Sequence, residues 1–504
     1  MAHPWRLRAC QSRVPSFSRL VYWFRSVQQQ LIVSSHPLRA RLWMPCILQL
    51  FVDPGGTLID KSTGHNRHSN SPSRLNRLKR RDRLDHAFCT GEPENPDPAF
   101  QLILDQAYVL KNESKISEVV LLLAEHTHLP KLPYQEARSQ FLLGQHCEAL
   151  EDELEKRNAP YSERDQDFPG QAADHYARGA EIARRIPDKP LFAQFKELES
   201  KALYYSHPRR KRYRRAFEAA KEALDVWGRL PRRKIATDMA FGFKLGDLLG
   251  LTAGVIGEDA EAVRGLDYAA HRLFDLQHRP DADPAQYAND ELFLDWDWAY
   301  LFYTMGHYRH AFKVALRARK KGRDLFTAQN RARFQWLIAS IMLACAEEGG
   351  VGDYSYNRLM AASDKALDEA YAWAEKGKED RTTFAMILLV EAKWMGLSRN
   401  PRTTSQDRIE KIKEAQAIAS ACDDILLLGQ AEIAWGDEYA FQNASHPTKR
   451  RKEAAKERYM KAIEMLEDVE ALSLARIARL RLERLLRTTT PYLVAPSDLN
   501  PSQN

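Results

Sequence analysis

The feature that most constrains this chain is an aromatic helical segment followed by small residues at helical spacing. Residues 298–308 read Trp-Ala-Tyr-Leu-Phe-Tyr-Thr-Met-Gly-His-Tyr, and Ala311, Ala315 and Ala318 follow. Residues three or four apart lie on one face of an α-helix, so the alanines form a stripe that another helix can approach closely. Gly306 stands where the chain must turn. The segment therefore predicts a helical hairpin with a small-residue seam.

The same pattern recurs, less regularly, elsewhere in the chain. Three further stripes of small or aromatic residues stand at helical spacing: Ala173, Ala177 and Ala180; Ala216, Ala220 and Ala223; and Ala455, Tyr459 and Ala462. Leu143-Gly144 precedes the first stripe and Trp435-Gly436 precedes the third, which supplies a partner helix for each. Recurring hairpins of one kind predict a stacked array of repeats.

A bulky residue beside a small one, a glycine and a tyrosine at the turn, and a stripe of alanines resemble the tetratricopeptide repeat (TPR) family. The resemblance covers most of residues 99–487 and is clearest at 292–320 and 454–466. It implies an all-α, right-handed, superhelical solenoid of roughly eight or nine helical hairpins, with a capping helix at 472–486. Looser hairpins are expected at about 99–127, 236–276, 331–375 and 380–421. A generic helical bundle and another α-α repeat are the alternatives.

Charge is unevenly divided along the 504 residues. Residues 1–90 hold 15 basic and four acidic residues, a net charge of +11, which leaves 60 basic and 64 acidic residues, a net charge of −4, for the remainder. We therefore expect a basic, mostly disordered leader at 1–95, the solenoid at 96–487 and a disordered tail at 488–504. A mistaken start codon, a mitochondrial transit peptide or a basic arm would give the same leader composition. Because the folded part is not basic, we do not expect it to bind nucleic acid.

No catalytic or metal-binding pattern stands out in the sequence. The metalloprotease, P-loop and serine-hydrolase motifs are absent. We interpret the acidic residues at 290–297 as the solvated first turn of a helix. His307 and His310 lack a nearby third ligand, and the longest apolar run, 42–51, is shorter than the roughly 20 residues of a membrane helix. We expect a cytoplasmic protein with reduced thiols, no cofactor, no metal, no membrane segment and no enzymatic activity.

Binding is expected on the concave face that the first helices of TPR hairpins line. The positions that the resemblance assigns to this face in the best hairpin are Phe293, Trp296, Tyr300, Tyr303 and Thr304. A more polar set stands nearer the start of the solenoid: Arg138 and Gln145, with Phe141 and Glu148. Three rings on one helix face suggest a peptide-binding wall, and the alternative is that they fill the core against the next hairpin. Trp296 and Tyr300 occupy the positions of the lysine and asparagine that grip carboxylates in chaperone-binding TPRs, so we do not expect that clamp.

These observations favour a scaffold or sensor that binds a protein or peptide in its concave groove. The resemblance extends to the sensor halves of bacterial helix-turn-helix regulators, so one alternative is a truncated regulator that responds to a signalling peptide. The other is a helical-repeat transferase, which would need titratable residues converging in one pocket. Self-association into a homo-oligomer is left open.

Overall fold

The computed structural model describes residues 98–487, apart from short segments at 113–115, 127–128, 130–131, 157–166, 187, 207–211, 233–234, 236–237, 280–286, 323–326, 377–380 and 399–402. The predicted leader and tail therefore lie outside the described residues. The described residues belong to one compact unit and hold seventeen α-helices. The first eight are α1 (Pro98–Asn112), α2 (Ile116–Glu125), α3 (Pro133–Lys156), α4 (Phe168–Arg185), α5 (Lys189–Tyr204), α6 (Tyr213–Gly228), α7 (Met239–Val255) and α8 (Asp259–Gln277). The others are α9 (Ala288–Thr304), α10 (Tyr308–Lys321), α11 (Ala328–Glu347), α12 (Tyr356–Lys376), α13 (Arg381–Ser398), α14 (Ser405–Ala421), α15 (Ile425–Ser445), α16 (Lys449–Asp468) and α17 (Leu472–Arg487).

The helices pack as a row of hairpins. Each helix contacts the next one in sequence, and from α5 onward each odd-numbered helix also contacts the next odd-numbered helix. The odd-numbered helices from α5 to α17 therefore form one continuous row, which we call the inner row. The predicted all-α solenoid is confirmed, with eight hairpins and a final helix among the described residues. Its right-handedness stays a prediction.

Glycine notches hold the two helices of several hairpins close together. A Cβ atom added at Gly144 of α3 would lie 2.4 Å from the ring of Tyr176 in α4, and one at Gly436 of α15 would lie 2.4 Å from the ring of Tyr459 in α16. Both tyrosines are fully buried. Each ring therefore fills the space that the missing side chain leaves, which explains the Leu-Gly and Trp-Gly pairs in the sequence.

The small-residue seam of the best hairpin is as predicted. Ala311, Ala315 and Ala318 of α10 are buried. Gly306, between α9 and α10, has a φ of +72°, a conformation that other residues rarely adopt. The stripe of α4 differs from its prediction because Ala177 is only half-buried and Tyr176 takes the central place, where its ring meets Gly144.

Aspartate side chains begin several of these helices. The carboxylates of Asp167, Asp188, Asp238 and Asp424 accept hydrogen bonds from backbone N–H groups in the first turns of α4, α5, α7 and α15. Such caps satisfy donors that have no partner within the helix, and they fix where each hairpin helix starts.

The last helix folds back onto the middle of the chain. Besides its neighbours α15 and α16, α17 contacts α7 and α9. A further link lies just before α17, where the backbone N–H of Arg214 donates to the Glu470 carboxylate at 2.7 Å. The residues predicted as a capping helix thus also close the inner row on itself.

Candidate functional site

The inner row lines a partly open cavity of about 100 Å³. Its walls come from α9, α11, α13, α15 and α17, with one residue from α14. The cavity exists because α17 returns to α9 and completes a ring that the other four inner helices leave open. It is therefore the centre of the surface on which a solenoid of this kind would bind a partner.

Most of the wall is apolar. The apolar side chains that line it include Trp336, Met386, Leu389, Ile433, Phe441 and Ile477. The ring centroids of Tyr300 and Trp336 lie 6.4 Å apart, so α9 and α11 present aromatic faces side by side. Large apolar and aromatic side chains contribute most of the contact energy in protein interfaces.

A charged network crosses one side of the cavity. Arg481 of α17 donates two hydrogen bonds to Glu347 of α11, at 2.5 and 2.8 Å. Lys393 of α13 donates to the same carboxylate at 2.8 Å. The Arg481 Nε atom lies 3.8 Å from Asp437 of α15, which also accepts a hydrogen bond from Tyr459 at 2.7 Å. Four inner helices are thus joined through one arginine and one carboxylate.

The charges in this network shift the pKa values of Glu347 and Lys393. Burial alone would raise the pKa of Glu347, but the charges and hydrogen bonds of Arg481 and Lys393 outweigh it and lower that pKa. Burial and the positive charge of Arg481 lower the pKa of Lys393, and Glu347 opposes them. Each charge in this buried place is therefore maintained by the opposite charge beside it.

Two of the predicted binding residues line the cavity. Tyr300 and Tyr303 of α9 face it, and Tyr303 is the more exposed of the two. Burial raises the pKa of the Tyr303 hydroxyl, with the neighbouring Tyr308 adding to the effect. The aromatic face predicted on α9 is thus present on the inner row at these two positions.

The other three residues of that set do not line the cavity. Trp296 is fully buried and its ring centroid lies 5.5 Å from that of Phe334 in α11, so it packs between hairpins. Phe293 is half-buried and stacks on Trp296. The Thr304 hydroxyl donates to the Tyr300 and Leu301 carbonyls of its own helix. These three side chains therefore contribute to packing, either within α9 or against the next hairpin.

The polar set lies apart, on α3. The Arg138 guanidinium lies over the Tyr108 ring, 4.2 Å from its centroid, and 4.0 Å from Asp105, so it ties α3 to α1. The Gln145 side-chain oxygen is buried without a hydrogen-bond partner among the described residues. Neither residue lines the cavity, so the structure does not bring the two predicted sets together.

The second half of the acidic run in α9 is not solvated, contrary to the sequence interpretation. Asp295 is buried and paired with Arg317, with Lys321 at 3.4 Å. Asp297 is also buried and faces Asp247 of α7. The run begins in the first turn of α9, but it continues past that turn onto the faces that pack against other helices.

A second, larger cavity of about 380 Å³ lies on the other side of α17. The turn at Gly306, the end of α11 at Glu347 and Glu348, and Arg481 and Arg484 of α17 line it. Ile477 and Arg481 line both cavities. The final helix is therefore flanked by empty space on two sides.

Among the described residues, two cysteine thiols are buried and the potential metal ligands do not cluster. Cys147 and Cys345 are buried free thiols, and burial raises their pKa values to about 11 and about 12. In the part of the chain that the structure describes, no three His, Cys, Asp or Glu side chains gather as metal ligands would. Among the same residues, no helix has both the length and the apolar character that a bilayer crossing requires.

Comparison with known proteins gives resemblances in structure but none in sequence. No family model matches the sequence, and no curated protein matches it. Among solved structures, the chain resembles the crystal structure of a Rap protein complexed with competence and sporulation factor, at 14% sequence identity and a TM-score of 0.36, over 77% of this chain and 98% of that one. The fold assignment rests on the helix packing of this chain alone.

Proposed function

We propose that this chain is a scaffold that binds a protein or peptide segment on its inner row, and that it catalyses no reaction. One observation carries the proposal: earlier helices of the inner row already pack against its last helix, α17. α17 lies against α7, α9 and α15, with Leu474, Ile477 and Arg481 directed at the cavity. A face that packs one amphipathic helix has the shape and chemistry to bind another.

The charged residues of the cavity favour binding over catalysis. Titratable side chains do converge there, which is what a helical-repeat transferase would need. Glu347, however, is engaged by Arg481 and Lys393, and Glu438 is engaged by Arg408 at 2.5 Å. Carboxylates that are paired in this way are less available to exchange a proton with a substrate.

A sensor that responds to a signalling peptide is the finer form of the same proposal. It would use the same inner face, in the cytoplasm, and pass the binding event to a partner protein. What supports this form is the closure of the ring by α17, because binding that opens or tightens a ring changes the positions of several helices at once.

The test is a screen of the full-length chain against a library of short fluorescent synthetic peptides, read by anisotropy. Peptides that bind are measured again on Tyr303→Ala, which removes an inner-row ring, and on Tyr354→Ala, which removes an exposed tyrosine between α11 and α12. Tyr303→Ala should weaken binding by about 1–2 kcal/mol, and Tyr354→Ala should leave it unchanged. Equal binding by the two variants would place the site elsewhere and defeat the proposal.

A further inference from the structure

The helix that closes the inner row is strongly basic. The 16 residues of α17, LSLARIARLRLERLLR, contain five arginines and one glutamate, a net charge of +4. Leucine, isoleucine and alanine occupy nearly all of its other positions. It is a basic, amphipathic helix, whereas the residues after position 90 are acidic as a whole, with a net charge of −4.

The surface that receives α17 is acidic where the arginines meet it. Arg481 is paired with Glu347 and lies close to Asp437. Arg476 lies 4.0 Å from Asp259 of α8, and Arg479 is paired with Glu467 of α16. The surface that receives α17 therefore combines carboxylates with an apolar wall. Such a surface suits a segment that carries both arginine and leucine.

The two halves of α17 differ in how many of their side chains are buried. In its first half Ser473, Leu474, Ala475 and Ala478 are buried. In its second half Leu480 and Leu486 are 43% and 53% exposed, and Leu485 is the apolar side chain there that is buried. Partly open clefts of about 100 and 380 Å³ flank the helix, so parts of its surface on two sides are not covered by other helices.

We propose that α17 is an internal occupant of the binding face, and that the external ligand is a basic amphipathic segment whose arginine replaces Arg481 on Glu347. This inference rests on the proposed function and names its ligand class and its regulation. The second half of α17 swings away when the ligand binds, while the first half stays packed on α16. The Arg481–Glu347 pair is the latch that keeps the face occupied until such a ligand arrives.

The probe is a fluorescent synthetic peptide with the sequence of residues 472–487, added to the full-length chain. The wild-type chain should bind it weakly, because its own α17 occupies this surface at a very high effective concentration. Arg481→Gln should bind it about tenfold more tightly, since the internal competitor is weakened. Arg487→Gln is the matched control: it removes the same charge from the same helix, but its side chain is 80% exposed and pairs with Glu483 of α17 itself. It should bind the peptide as the wild type does.

Two measurements separate an opened latch from a damaged fold. Hydrogen exchange should rise in the second half of α17 in Arg481→Gln and stay unchanged in α1–α6. A peptide carrying R481Q should bind the Arg481→Gln chain about tenfold more weakly than the native peptide does, because it lacks the guanidinium that Glu347 recognises. Equal binding of the two peptides, or equal binding of the native peptide by wild type and Arg481→Gln, overturns the inference.

The failure of this inference differs from the failure of the proposed function. Library peptides that require Tyr303 but bind wild type and Arg481→Gln equally would leave the binding function standing and remove the latch. If neither the wild type nor Arg481→Gln binds any library peptide, and Arg481→Gln does not bind the native peptide, both the latch and the binding function are wrong.

Discussion

At the scale of single residues, the facing carboxyl groups of Asp247 and Asp297 have the clearest energetic consequence. They lie on the neighbouring inner helices α7 and α9 and share a side-chain hydrogen bond. Burial raises the pKa of Asp247 from 3.8 to about 7, and burial together with the charge of Asp247 raises that of Asp297. Two buried carboxyl groups beside each other disfavour the state in which both are ionised.

This pair predicts that stability falls as the pH rises. The folded-state pKa of Asp247 lies above its unfolded value, so the folded chain binds more protons and loses stability between about pH 4 and pH 7. Asp247→Asn removes the ionisable group and should stabilise the chain by up to about 4 kcal/mol at pH 8, with little effect at pH 4. Thermal melts at both pH values test this, with Asp353→Asn, an exposed turn residue, as the control. A gain that is the same at both pH values would contradict it.

At the scale of helices, the glycine notches decide how closely a hairpin packs. Alanine is a better helix former than glycine by about 1 kcal/mol, so Gly144→Ala would stabilise an isolated α3. In the hairpin its Cβ atom would lie 2.4 Å from the Tyr176 ring, and overpacking of this kind costs about 1–3 kcal/mol. We expect net destabilisation in chemical denaturation. The control is Gly228→Ala at the end of α6, where an added Cβ atom meets nothing within 4 Å, and a similar loss there would refute the notch.

The alanine seam of α10 gives a second prediction at this scale. Ala315 is buried where α10 packs on α9 and α11, so Ala315→Leu should destabilise the chain by about 1–3 kcal/mol. Increased hydrogen exchange should centre on α9–α11, because a repeat depends on its nearest neighbours. An unchanged melting temperature would show that the seam tolerates a large side chain.

These two features were predictable from the sequence, because they depend on residues three and four apart or on a glycine beside a bulky residue. The hairpins at 99–127, 236–276, 331–375 and 380–421 all correspond to observed helix pairs for the same reason. The partners of Arg481 and Asp297 were not predictable. Arg481 meets Glu347 from 134 positions away, and the approach is set by small rotations between repeats that accumulate along the array. The residues near Arg481 or Glu347 in the sequence do not reveal that accumulated rotation.

At the scale of the whole molecule, the return of α17 links hairpins that are far apart in sequence. Ile477 lines both cavities and packs against the main apolar core, so Ile477→Ala should loosen the closure. We expect faster hydrogen exchange in α7 and α9 as well as in α15–α17. Leu486→Ala, which removes an exposed leucine from the same helix, should change neither region. An effect of Ile477→Ala confined to α15–α17 would mean that the contacts with α7 and α9 contribute nothing.

The closure by α17 also bears on how the chain reaches its native state. A linear array of repeats can fold as it emerges from the ribosome, because each hairpin needs only the one before it. Here α7 and α9 receive their last partner only when α17, more than 160 residues later, has been synthesised. The surfaces of α7 and α9 that α17 later covers therefore stay exposed during synthesis. This makes the middle hairpins a stretch of the nascent chain that needs protection from aggregation.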